Sequence, residues 1–532
     1  MKKFLVYIIQ MFFIILILSI FGVLFYRYYS GELAENPRFV SADYQSLEEE
    51  ASRIQSSYGT ENKNAKDVFV LTYHAITKEP TDSEFRIYYE DFKETMFELK
   101  REGYQTITLE EFYAFMNGEK ELPDKSFLLT FDDGAKQSYY NGDPILEALG
   151  YNAVLSIITS HSIDAPESSY YLNHKELIEA HETGRWEIVS HTDSLHYRLQ
   201  TNEGGEIAPA MANKLWIPDE NRIENDEEYY ERIREDLEIS DKKIEGLLNK
   251  SVSTFVLPYG DFGEKKTNYP EANKILLDLT TSKYKMVFYE FPYKYKIYRS
   301  NYNDESGKGS YIISRIPADY LSREPEEIID LIEAMTSKEL PYYEDYKNQD
   351  NWVRISGTAS FSNDSITLFP ESNRGVQSMT SYIDGSYLWK DYSYSLRINS
   401  EAESINLVSR YKDPHNFIAC KYQENSAWII QVDGGSSQKT IVKQIIPDNK
   451  TISEGSKLSI DVLGNSVACY IDGKLIVSSE IENIPEHGGV GIKIDGFDES
   501  YSFVFGEISV TPLKNSDAYL FKNKIQNETS SD

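Results

Sequence analysis

Two adjacent acids, Asp132 and Asp133, follow the apolar run Phe127–Phe131 and precede Gly134. Carboxylates at the end of a buried strand suffer desolvation and mutual repulsion, and a divalent cation would relieve the repulsion. The bland alternative is an Asp pair capping the next helix. A second run, Glu187–Ser190, leads into His191 and His196. Their spacing puts both imidazoles on one loop, since a shared helical face requires a separation of three or four. Two imidazoles and a carboxylate suit zinc or a similar ion, with positions left for water and substrate. A third run ends in Pro258-Tyr259-Gly260. Pro258 fixes φ and removes a donor, so the N–H of Tyr259 can be aimed into a site, although the triplet alone is simply a turn. Arg315, on a late strand, fits sugar binding, support of a carboxylate or a structural ion pair. His161, His174 and His181 fall in loop or helix patterns and read as surface residues.

These groups need elements to hold them. From Asp67 to Glu339 short apolar runs alternate with helical patterns. Strands are predicted at Val68–Tyr73, Gln105–Thr108, Phe127–Phe131, Asn152–Ile158, Glu187–Ser190, Thr254–Leu257, Tyr284–Phe288 and Tyr311–Ile316. Helices are predicted at Glu90–Glu102, Glu110–Met116, Lys175–His181, Asn225–Leu248 and Pro325–Met335. Such alternation implies parallel pairing in an α/β barrel or open sheet. From Asn351 to Pro512 alternating runs separated by turn residues predict an all-β sandwich, with 340–350 as linker and 513–532 as a polar tail.

The chain has 532 residues, 54 Lys+Arg against 86 Asp+Glu and a formal net charge of −32. At about 100–200 residues per domain that length allows two or three domains. The charge argues against a nucleic-acid partner, which would be repelled. Two cysteines, Cys420 and Cys469, exclude a disulfide scaffold or a Cys-rich zinc module; one disulfide and two buried thiols remain equally open. Phe4 to Tyr26 carry no charge, and at about 1.5 Å per residue they reach across a hydrocarbon core of about 30 Å. Lys2 and Lys3 precede them, and no small-x-small cleavage site follows. The expectation is an uncleaved signal anchor over 1–26 and a stalk over 27–66, making a single-pass membrane protein with its catalytic domain outside the cell.

The order of the three site elements, with Thr130-Phe131-Asp132-Asp133-Gly134 intact, resembles the polysaccharide deacetylase family, the NodB-homology carbohydrate esterases of family four. The resemblance covers residues 67–339 and implies a distorted (β/α)₇ barrel. It implies metal-assisted hydrolysis of an acetamide on a polymeric N-acetylhexosamine, in exopolysaccharide or cell wall. By resemblance Asp132 is the general base, and Asp133, His191 and His196 hold the metal, Zn²⁺ first with Co²⁺ or Ni²⁺ as alternatives. Most members space the two histidines by four, carry Arg where Val256 stands, and place a leaving-group acid in a later Leu-x-His; no histidine exists here between His196 and His415. The poly-N-acetylglucosamine deacetylase branch shares the longer spacing and an early Tyr-His-x-Ile, here Tyr73-His74-Ala75-Ile76, which implies His74 as general acid. Otherwise His74 is a core-edge histidine bonded to backbone. An O-acetyl esterase on the same metal and base is the enzymatic rival; a non-catalytic glycan-binding assembly protein is favoured by Val256 in place of Arg and opposed by the intact Asp132, Asp133, His191 and His196. Residues 351–512 resemble concanavalin- or laminin-G-like jelly rolls. That likeness implies glycan binding, with Trp352, Trp389 and Trp428 either as stacking platforms or, the simpler reading, as core.

Overall fold

The computed structural model describes residues 44–514 except 55–63, 82, 166–167, 264–265, 291–299, 304–308, 322–324, 370–377, 401–403, 414–415, 424–425, 434–437, 446–451 and 496–501. The expected anchor, much of the stalk and nearly all of the tail lie outside the described residues. Among the described residues no helix is long and apolar enough to cross a membrane. The chain divides into two compact units, one holding residues up to 328 except 291–300, the other residues 291–300 and 329 onward.

Seven parallel strands make the first unit: β1 (Phe69–Tyr73), β2 (Ser126–Phe131), β3 (Ala153–Ile157), β4 (Trp186–Ser190), β5 (Thr254–Val256), β6 (Met286–Glu290) and β7 (Tyr311–Pro317). They hydrogen-bond in the order β1-β7-β6-β5-β4-β3-β2, and β2 pairs back to β1 from Phe69 beside Phe127 to Tyr73 beside Phe131. The sheet is therefore a closed barrel. Its weakest seam joins β4 to β5, where the paired residues are Phe255 and Ser190 alone. The run at Gln105–Thr108 shortens to Gln105–Thr106 and pairs with the start of β2. Val70, Leu128, Val154, Val189, Val256, Phe288 and Ile313, one residue from each strand, meet in one buried cluster. Aliphatic and aromatic side chains at these positions fill the barrel interior, so functional groups are left to the strand ends.

The helices are α1 (Tyr44–Ser52), α2 (Tyr89–Arg101), α3 (Leu109–Met116), α4 (Lys136–Leu149), α5 (His174–Glu182), α6 (Asp226–Leu248), α7 (Ala272–Lys283) and α8 (Pro325–Met335). Three begin at capping boxes, Thr108 with Glu111, Asn173 with Glu176 and Asn225 with Glu228. These local signals made them legible. Among the described residues three of these helices were not anticipated, α1, α4 and α7. α4 contains Gly142 and Pro144, residues of low helix propensity, yet buries Ile145, Leu146 and Leu149, and that burial overrides propensity. α7 lacks a side-chain cap. Within the expected stalk, α1 is a helix packed on α4 with Leu47 buried, and Glu50 pairs with Lys93 at 3.2 Å.

The second unit is two antiparallel seven-strand sheets. One runs Thr358–Phe361, Ser365–Phe369, Phe503–Pro512, Tyr392–Ile398, Lys457–Leu463, Ser466–Ile471, Lys474–Glu480, with Tyr342–Tyr343 added on Phe503–Pro512. The other runs Trp352–Ser356, Ser378–Ile383, Gly489–Asp495, Ser404–Asp413, Asn416–Gln423, Ser426–Asp433, Gln438–Ile445. One core takes Leu396, Ile460 and Phe505 from the first and Leu407, Ile418 and Ile492 from the second, as in a sandwich. Cys420 and Cys469 form a disulfide between the sheets, with Cα atoms 5.7 Å apart. Trp352 and Trp389 fill the core rather than offer stacking faces, and Trp428 packs partly buried in a smaller cluster with Tyr382 and Tyr411.

Candidate active site

The C-terminal ends of β2, β4, β5, β6 and β7 bring the candidate residues together. Asp133, Thr192 and Tyr259 all have positive φ, at 68°, 75° and 59°. Non-glycine residues avoid that region, and backbone strain of this kind concentrates at functional sites. After Asp133 the chain turns away through Gly134 at φ 73°, where a Cβ would stand 3.1 Å from both Ile157 Cγ2 and Ser162 Oγ.

Asp133 Oδ1 lies 3.4 Å from His196 Nε2 and 3.7 Å from His191 Nε2. It is buried and accepts no hydrogen bond among the described residues, so a partner of another kind fits there. Neighbouring ligands on one tetrahedral ion stand about 3.4 Å apart for bonds of about 2.1 Å, which these separations match. His191 Nδ1 is 2.8 Å from the carbonyl of Val256, which fixes the proton on Nδ1 and leaves the Nε2 lone pair facing Asp133. Burial lowers the His191 pKa to about 4, against the raising influence of Asp132, so the ring is neutral, the form that binds metal. The ring of Tyr259 stacks on His196 at 4.9 Å. The three groups thus fit a divalent cation, and Val256 has a second task in orienting one of them.

Asp132, 2% exposed, faces Arg315, 0% exposed, through two parallel bonds, Nη1 to Oδ1 at 2.8 Å and Nη2 to Oδ2 at 2.7 Å. Ser156 Oγ donates to Oδ1 at 2.7 Å. Burial pushes the Asp132 carboxyl up, but the charge and hydrogen bonds of Arg315 outweigh it and hold the group well below the usual carboxylate range. The guanidinium also reaches Thr72, Thr130 and, at 3.1 Å, Glu290. Of the three roles open to Arg315, support of a carboxylate is the one observed. It reaches Asp132 from β7, whereas the missing family arginine would have come from the position of Val256 on β5.

His74 lies close by, with ring nitrogen, Asp132 and Glu290 oxygens all within 4.8 Å of one another. Its Nδ1 is 3.0 Å from Asp319 Oδ2, which also accepts the His74 backbone N–H at 2.9 Å. Burial disfavours the imidazolium, yet the Asp319 charge and hydrogen bond prevail, helped by Asp133 and Asp132, and raise the pKa to about 10. Ser138 Oγ of α4 donates to the His74 carbonyl. His74 is therefore tied to a carboxylate rather than simply to backbone.

His161 is not a plain surface residue. It stacks on Tyr171 at 4.5 Å, and its Nε2 lies 2.6 Å from Tyr197 Oη. A cavity of about 500 Å³ opens beside Tyr259, lined among others by Arg198, Asn202, Ile207, Asp261 and Asn268. Its size is that of a small-ligand pocket. Gly260 passes so close to β6 that a Cβ would meet the Glu290 backbone nitrogen at 2.7 Å. Asp319, Glu290 and Ser156 carry no motif. Arg315 and Asp319, four apart at the end of β7, were the only available signal, and its meaning depended on what the barrel placed opposite.

Residues 119–275 match the polysaccharide deacetylase family. The chain is 29% identical over 204 residues to a poly-β-1,6-N-acetyl-D-glucosamine N-deacetylase of Escherichia coli K12, covering 36% of this chain and 30% of that protein. Against the protein of the same name from Staphylococcus aureus N315 it is 27% identical over 213 residues, 37% of this chain and 66% of that one. The chain thus spans less than two thirds of the length of either curated relative. A solved de-N-acetylase from Aggregatibacter actinomycetemcomitans aligns at 24% identity and a TM-score of 0.40, over 48% of this chain and 96% of that one. Within the first unit, residues 119–275 form a polysaccharide deacetylase domain with homology to the poly-β-1,6-N-acetyl-D-glucosamine N-deacetylases.

Proposed function

We propose that the protein is a metal-dependent polysaccharide de-N-acetylase whose substrate is an N-acetylglucosamine exopolysaccharide of the β-1,6-linked class. The observation that carries the reading is the convergence of Asp133, His191 and His196 beside an Arg315-held Asp132 and an Asp319-held His74. Asp133, His191 and His196 would hold the ion, with Zn²⁺ first on donor chemistry, and when bound it supplies polarisation of the acetamide oxygen and acidification of water. Asp132, ionised at neutral pH, takes the proton of the attacking water as its oxygen adds to the acetamide carbon. The Tyr259 N–H is the donor proposed for the oxyanion. His74, protonated at neutral pH, gives its proton to the amide nitrogen as the C–N bond breaks. Acetate and a sugar amine result, and Asp132 and His74 exchange their protons with solvent. The cavity beside Tyr259 gives the polymer's neighbouring sugar a place. Residues 1–26 support an anchor that leaves this site outside the cell.

Acetate release from β-1,6-linked N-acetylglucosamine oligomers tests the reading. Wild-type protein should release acetate with the metal present and stop when it is chelated. Release from O-acetylated but not N-acetylated polymer would transfer the site to the esterase reading, and no release from either would remove the enzyme reading altogether.

A further inference from the structure

The loop carrying both imidazoles is held in a conformation its own sequence disfavours. Thr192, between His191 and the rest of the loop, has φ 75°, and a β-branched residue there is a genuine outlier. Its buried side-chain oxygen makes no hydrogen bond among the described residues, so the Thr192 side chain does nothing to hold this conformation. Something else must hold it.

The restraint comes from α6. Asp236, 5% exposed, takes the next two backbone N–H groups on its carboxylate, Asp193 on Oδ1 at 2.9 Å and Ser194 on Oδ2 at 2.7 Å, and Ser194 Oγ adds a third bond at 3.2 Å. One and two turns further along the helix, Ser240 Oγ meets Ser190 Oγ at 2.8 Å and Lys243 Nζ reaches Asp193 Oδ1 at 2.5 Å. Positions 236, 240 and 243 lie on one face of an α-helix, so a single rigid element grips the loop on both sides of Thr192. On the far side Thr159 Oγ1 donates to Asp193 Oδ1 at 2.6 Å, and the Thr159 N–H to the Thr192 carbonyl at 3.1 Å. A carboxylate that accepts consecutive amides dictates the turn of the backbone between them, and that turn sets where His191 and His196 stand.

We propose that Asp236 is the positioning residue of the metal site: it pins the strained loop so that His191 and His196 converge on Asp133. The inference rests on the metal-site reading above, and metal affinity measured directly, without turnover, separates the two. Zn²⁺ is titrated into chelator-stripped full-length protein against a competing indicator, with circular dichroism confirming the fold of each variant. Asp236→Asn, close in shape but presenting a donor to one of the two N–H groups, should weaken Zn²⁺ by about 10–100-fold, the scale of outer-layer support in metal sites. Thr192→Gly in that background should regain part of the loss, because glycine adopts positive φ without strain. A purely structural role for Asp236 would not yield that rescue. Lys243→Met, which removes the lysine's contacts with Asp193 and Asp164 and leaves the Asp236 bonds in place, should give a smaller loss and serves if Asp236→Asn does not fold. Wild-type affinity in the Asp236→Asn protein, or in Lys243→Met where it stands in, overturns the proposal, as does an absence of rescue by Thr192→Gly. Wild-type protein that takes up no metal overturns this proposal and the metal-site reading together.

Discussion

Each unit buries an arginine completely, and the two are used differently. Arg315 in the barrel spreads its donors over Thr72, Thr130, Asp132 and Glu290, so a buried cation faces one buried and one partly buried carboxylate. Arg410 in the sandwich donates to the carbonyl of Pro485 at 2.9 Å and stands 3.5 Å from Asp391. Its own N–H reaches Tyr392 Oη at 3.1 Å. The first orders reactive groups at a mouth where the barrel core has ended; the second ties loop backbone at the edge of an apolar core. A buried ion pair is weak support for stability, and its retention in the barrel is explained by what it keeps charged and aimed.

The largest break of that comparison is Asp132→Asn. If Arg315 serves to present an ionised base, the variant should keep its metal and lose about 10⁴-fold in acetate release, the upper end of base catalysis. Wild-type turnover would mean that Arg315 and Asp132 form structure alone.

His74 sharpens the point. His74→Gln should lower the rate by about 10²–10⁴-fold with metal content unchanged, and an unaltered rate would move the acid elsewhere. The wild-type rate should hold through neutral pH and fall as pH rises through about 10, where the imidazolium is lost. Asp319→Asn should bring that alkaline limb down towards about 6.5, the ordinary imidazole value. Because the folded pKa is raised, the His74–Asp319 pair contributes stability fully present below about 6.5 and lost as pH climbs through about 10. An alkaline limb that ignores Asp319→Asn would contradict the assignment.

The smallest effect is on unfolding. Arg315→Met strands the buried Asp132 and the partly buried Glu290 and should cost about 3–5 kcal/mol in urea. Arg410→Met leaves mainly a carbonyl unsatisfied and should cost about 1–3 kcal/mol. Limited proteolysis would assign each transition to its unit, and equal costs, or a greater cost at Arg410, would erase the contrast.

Asp132, Asp133, His191, His196 and Tyr259 were legible because each sits within a few residues of an apolar strand end, and strand ends can be read from periodicity. The capped helices were legible for the same local reason. α4 and α7 were not, since Gly142, Pro144 and a missing cap speak against a helix that only packing stabilises. The disulfide stayed open because Cys420 and Cys469 belong to different sheets, whose facing pairs no sequence spacing reveals. Val256 read as a lost arginine; the structure makes it part of the interior layer and the acceptor for His191.

By itself, then, the sequence determined which side chains end which strands, because a strand's alternation and a helix's caps are properties of neighbouring residues. Only the closed barrel decided that Arg315 and Asp319, nearly two hundred positions and more from their partners, would answer for Asp132 and His74. Charge pairing depends on distance in space and on burial, and both are set by how seven strands close rather than by any one of them.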